Sequence, residues 1–168
     1  MTVVPRIPLD FLKNPSILQL WLDLGGHATL MSYGIRPPQG SGFKPELAER
    51  ICRKLLENMP RDHLVFLNGL EPFFRFGDYF FVHAGIRPRV PPEKQKPEDM
   101  YWIREDFLSC SEDHGFRVVH GHTIHEQARE YPNRIGIDTG AYATGVLTCA
   151  VFEGSRIRYL STLPDAMK

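Results

Sequence analysis

Cysteine is scarce in this chain. Only Cys52, Cys110 and Cys149 occur among 168 residues, an odd number, widely spaced and without a Cys-x-x-Cys pair. That pattern excludes a disulfide framework and a zinc ribbon, and a reducing cytoplasm is the expected setting. Long apolar runs are also missing: none approaches the roughly 18 residues that a membrane-spanning helix needs. Pro5 and Pro8 fall within the first ten residues, where a signal peptide would need a continuous apolar stretch. Neither export nor membrane insertion is expected. There is no excess of charge, because Lys plus Arg and Asp plus Glu are 20 each, so no net field draws the chain to nucleic acid or anionic lipid. DNA binding is therefore not expected, while a small polyanionic substrate met by one or two local arginines stays open.

What is present is enough for a core. With 42% hydrophobic residues over 168 positions, the chain suits one globular domain, or part of one. Ile17, Leu18, Leu20, Trp21 and Leu24 recur at helical spacing, so Leu9–Leu24 is predicted to be an amphipathic helix interrupted at Pro15 and stopped by Gly25-Gly26. Tyr33 to Phe43, rich in Gly and Pro, reads as a loop. Pro45 is well placed for the first turn of a second helix, lined by Leu47, Ile51 and Leu55 to about Met59. A third, from Asp62 to Leu70, would pack Leu64, Phe66, Leu67 and Leu70.

From Pro72 onward the period changes. Phe73-Phe74-Arg75-Phe76 and Tyr79-Phe80-Phe81-Val82 flank Gly77-Asp78, which predicts a two-residue hairpin. The four prolines between Arg87 and Pro97 mark a surface excursion, followed by a short helix around Met100–Leu108. Strands are predicted at Phe116–His120, Arg134–Asp138 and Gly145–Phe152, the last turning through Glu153-Gly154 into Arg156–Leu160. Helices dominate the first half and strands the second, so the expected fold is a layered α/β or α+β domain.

Two histidine motifs carry the chemistry. Phe81-Val82-His83-Ala84-Gly85 and Val118-Val119-His120-Gly121-His122-Thr123 each set a His at the end of a strand-like run beside glycine. Imidazole is the commonest protein ligand for first-row divalent ions, and a strand end holds it rigidly. The adjacent glycine leaves the backbone room to turn and a substrate room to approach. A lone His after Val is more often a hydrogen-bonded rim residue, and chemistry alone does not rank His120, His122 and His125 as ligands. Arg104, with Glu105 and Asp106 adjacent, reads by itself as a solvated helix charge. Asp138 in Ile137-Asp138-Thr139-Gly140 is good turn chemistry even without a function.

The succession His-Ala-Gly, Trp102-x-Arg104, His-Gly-His-Thr and Ile-Asp-Thr-Gly-Ala resembles the C-terminal part of the calcineurin-like metallophosphoesterases. The likeness is greatest to small bacterial and phage serine/threonine protein phosphatases, with diadenosine tetraphosphatases as near relatives. Upstream, Trp21-Leu22-x-x-Gly25-Gly26 and Leu70-x-Pro72-x-Phe74 extend the likeness over almost the whole chain. The resemblance implies a two-sheet sandwich flanked by helices and a centre of two divalent ions (Mn, Fe or Zn). It further implies His83 and His122 as metal ligands and Arg104 as a bidentate phosphate binder. Asp138 and Thr139, with His120 beside them, would be hydrogen-bond partners that orient the ligands. A phosphoprotein or a dinucleoside polyphosphate, including the equivalent cap on RNA, would be the substrate.

That family's first three motifs, Gly-Asp-x-His, Gly-Asp-x-x-Asp-Arg-Gly and Gly-Asn-His-Glu, have no counterpart, for no Asp-x-His or Asn-His occurs in the chain. Two imidazoles without a carboxylate hold at most one ion, weakly. The expectation is a serine/threonine phosphatase domain spanning residues 1–168 but incomplete, its N-terminal strands missing through a start assigned too far downstream, and of low or no activity alone. Two alternatives belong to other classes. One is a non-catalytic half-domain whose sheet a partner chain completes. The other is a mononuclear zinc hydrolase using His83, His122 and either His120 or His125.

Overall fold

A computed structural model describes residues 7–154 and 156–162. Met1 to Arg6, which hold one of the two early prolines, lie outside the described residues. The chain divides into two compact units, one ending at Leu70 and one beginning at Glu71.

The first unit is helical. In place of one interrupted helix, the opening segment is broken twice: α1 (Ile7–Lys13), a 3-10 turn at Pro15–Ile17, α2 (Leu18–Trp21) and α3 (His27–Ser32). Pro15 begins its turn under an Asn14 cap, whose side chain accepts from Ser16 N at 3.2 Å. Gly25 at φ +99° breaks the helix as expected, but the chain re-enters a helix at once. Gly26 allows this: a Cβ there would lie 2.7 Å from the Trp21 ring. Then follow α4 (Pro45–Asn58) and α5 (Arg61–Asn68), close to the predicted limits. Phe11 stacks on Trp21 at 4.6 Å, and Leu18, Leu30, Ile51 and Leu55 complete this core. On α5, Leu64 and Leu67 pack inward, but Phe66 is 56% exposed. The three-residue spacing places 64 and 67 on one stripe and leaves Phe66 off it.

The second unit is built on a mixed sheet. Hairpin β1 (Phe73–Phe76) and β2 (Tyr79–Val82) forms with Phe76 opposite Tyr79, as the Gly77-Asp78 turn predicted. The predicted helix around Met100–Leu108 is two, α6 (Pro97–Trp102) and α7 (Glu105–Leu108), parted at Ile103-Arg104. Next come β3 (Arg117–His120), the short β4 (Arg129–Glu130), β5 (Arg134–Gly136), the single-turn α8 (Ala141–Thr144), β6 (Thr148–Glu153) and β7 (Arg156–Ser161). Five strands lie in the order β1-β2-β3-β5-β4, with β2, β3 and β5 mutually parallel, while β6 and β7 pair as a second, two-stranded sheet. The expected mixed α/β fold with helix-flanked sheet is observed.

Strand alternation sorts the side chains. Phe80, Val82 and Val118 face α6 and α7, where they pack with Met100, Ile103 and Phe107. Tyr79 and Phe81 point the other way, onto Phe152 of β6, with ring centroids at 4.5 and 5.5 Å. A polar tie joins the two sheets: Tyr159 Oη donates to Glu130 Oε1 at 2.9 Å, and Glu130 also pairs with Arg117. Burial, the Glu130 hydrogen bond and the Glu130 charge push the Tyr159 hydroxyl up to about 12. In the unfolded chain it ionises near 10. Between those values the unfolded state releases the proton first, so stability is expected to fall as pH rises from about 10 towards 12. Chemical denaturation of the protein and of Tyr159→Phe across this range checks the effect. The variant should lose that part of the alkaline slope, and an unchanged slope would refute it.

Candidate functional site

Because residues 79, 81 and 83 share one side of β2 and its continuation, His83 turns towards the second sheet and away from α6 and α7. It lines a cavity of about 560 Å³ whose walls include Phe74, Phe81, Val119, Ile137 and Leu147. His122 and Asp138 stand in the same wall. The His83 and His122 rings are 5.1 Å apart between centroids, inclined at 56°. Their backbones are joined as well, since Gly121 N–H donates to His83 O at 2.8 Å. Two motifs 39 positions apart in sequence thus converge through the parallel pairing of β2 and β3.

Arg104 occupies the break between α6 and α7 and is exposed. Trp102, two residues before it, meets the His122 ring edge-on at 5.7 Å. Burial and then the Arg104 charge lower the His122 pKa, which places the guanidinium within electrostatic reach of that ring. His83 is pushed down to about 4, first by burial and then by His122. Both imidazoles are therefore neutral at pH 7, the form that can donate a lone pair to a cation. Asp138 opposes these shifts at His83, His120, His122 and His125, so one carboxylate sits within reach of all four rings. Its Oδ1 accepts from Gly140 N–H at 2.8 Å.

The other residues singled out in the sequence have different surroundings. His120 shares the side of β3 that carries Val118; it is 1% exposed and meets Phe107 edge-on at 5.0 Å. Burial is the main cause that takes it down to about 4. His125 adjoins it across Gly136, where a Cβ would lie 2.8 Å from His125 Nε2 and 3.6 Å from His120 Cε1. The Thr139 hydroxyl donates to Val146 O at 2.7 Å and meets Thr148 Oγ1 at 3.0 Å, which ties its loop to β6. The sequence reading missed the contact of Trp102 with His122, although the Trp-x-Arg spacing carried the signal.

His83 and His122 are suited to be two donors to one divalent ion. Among the described residues no three His, Cys, Asp or Glu side chains form a group able to hold a metal. The same finding leaves the three-imidazole zinc site without support. His120 lines the cavity as well, but its ring meets Phe107 edge-on, and His125 packs beside it.

No family model matches the chain, and no curated protein matches it. A crystal structure of a protein provisionally named a diadenosine tetraphosphatase does match, at 19% identity and a TM-score of 0.59. The match covers 95% of this chain and 67% of that one. The chain shares that fold. No helix among the described residues is long and apolar enough to cross a membrane.

Proposed function

We propose that this chain carries the phosphoryl-binding part of a metal-dependent phosphoester hydrolase that acts on phosphoserine or phosphothreonine in proteins. The observation that best supports the reading is the convergence of His83 and His122 on one cavity, their rings 5.1 Å apart, with Trp102, two residues from Arg104, edge-on to the His122 ring from a third element. In this reading His83 and His122 hold one divalent ion, which polarises a phosphoryl oxygen as a Lewis acid when bound. Arg104, exposed and set at a helix break, takes two phosphoryl oxygens in its planar fork. Asp138 supplies the negative charge that balances the cation, and the aromatic wall at Phe74 and Phe81 limits water. A second polypeptide that brings further carboxylates and covers the open face of the sheets, in a cytoplasmic setting, is part of the same proposal.

A dinucleoside polyphosphate is the second reading. Phe74 and Phe81 offer faces on which a base can stack, and the protein that shares the fold is provisionally named for such a substrate. Turnover of a phosphoserine peptide and of diadenosine tetraphosphate by the chain in complex with that second polypeptide, each with Mn²⁺, separates the two. Arg104→Ala is expected to lower kcat/KM for the preferred substrate by roughly 100-fold or more. Preference for the dinucleotide would overturn the first reading. Hydrolysis of neither would overturn both, in favour of a non-catalytic half-domain.

A further inference from the structure

His122 adopts a backbone conformation that its side chain resists. Its φ is +62°, and Thr123 N–H donates to Gly121 O at 2.6 Å, closing a three-residue turn around it. A γ-turn of this hand is rare and strained for a residue with a Cβ, and such strain persists only where the surroundings impose it.

The Gly121 backbone is held from three sides. Its N–H donates to His83 O, its oxygen accepts from Thr123 N–H, and the same oxygen lies 3.1 Å from His120 Nδ1. A carbonyl only accepts, so His120 Nδ1 must carry the proton, and the neutral ring is the Nδ1–H tautomer. Its Nε2 is then a bare lone pair, buried without a hydrogen-bond partner. A ring that served only to pack against Phe107 would not need an imidazole at this place, and phenylalanine would leave no lone pair unpartnered. What imidazole adds is the Nδ1 proton, aimed at the oxygen that closes the turn.

We propose that His120 is a positioning residue: its Nδ1–H holds the Gly121 carbonyl and so keeps His122 in the strained turn that sets its ring beside His83. The inference rests on the reading of His83 and His122 as ligands only for its consequence in metal affinity; the positioning itself is readable without metal. Histidine ¹⁵N–¹H spectra of the intact protein should show His120 protonated at Nδ1. In His120→Phe and His120→Gln, the nuclear Overhauser contact between the His83 and His122 rings should vanish, and Zn²⁺ affinity should fall about tenfold or more. His120→Asn, whose amide N–H stands near the Nδ1 position, should retain both. An Nε2–H tautomer, or a persistent ring contact in His120→Phe, would overturn the proposal. If His120→Phe does not fold, the tautomer and the contrast between Asn and Gln decide it. If the wild type binds no Zn²⁺, the ring contact still decides the positioning, and only the ligand reading falls.

Discussion

Replacing Gly85 by alanine should destabilise the protein by about 3 kcal/mol, the upper end of what overpacking a well-filled core costs. A Cβ at Gly85 would lie 2.3 Å from Phe107 Cδ1 and 2.7 Å from Cγ. Phe107 cannot step aside, because it is 0% exposed and packed among Phe80, Val82, Met100 and Ile103. Its edge also bears on His120, so the strain should reach the turn that carries His122. Gly121→Ala gives the contrast. Its Cβ would meet nothing nearer than 3.5 Å, at Asp138 Oδ2, which is ordinary contact, and its effect should stay below about 1 kcal/mol. Urea midpoints at unchanged slope measure both. Equal losses would show that the glycine of the His-Ala-Gly motif is not there to admit Phe107.

That glycine shows where the sequence could be read and where it could not. Beside His83 it suggested freedom for the backbone to turn and for a substrate to approach; the structure gives it the tertiary reason of contact with a helix more than 20 residues away. The hairpin was legible because turn chemistry and aromatic alternation are local. So was α4, with proline at its start and an apolar stripe along it. The division at Ile103-Arg104 was not, since nothing in Met-Tyr-Trp-Ile-Arg-Glu-Asp breaks a helix by composition. Nor were β4 and α8, two and four residues long and held by neighbours more than by propensity. Among the histidines, the spacing named the two strand ends but could not say which ring turns to the cavity. Val118 and Val119 are both apolar, so the pattern hides which side of β3 is which. Pairing with β2 settles it: Val119 lies beside Phe81 in the cavity wall, and His120 goes with Val118 to the helices.

Removing either imidazole of the pair should abolish measurable Zn²⁺ or Mn²⁺ binding, a loss of roughly 100-fold or more and beyond what the loss of an orienting neighbour costs. His83 and His122 are the two imidazoles that approach each other in the cavity wall, so each supplies half of the neutral donors of the pair, and one imidazole alone binds no better than an exposed histidine. Depletion of His83 should be as severe as that of His122, although the second sits in the strained turn and the first ends an ordinary strand. Asp138→Asn should weaken binding less, about tenfold, because the carboxylate acts on all four rings at a distance and keeps its bond to Gly140 in amide form. Isothermal titration of the wild type, His83→Ala, His122→Ala and Asp138→Asn at pH 7 reads the order directly. His125→Ala, whose ring packs beside His120 and Gly136, separates this site from a three-imidazole one. Unchanged affinity is expected there, whereas a loss equal to that of His83→Ala would make His125 a ligand and the pair a triad.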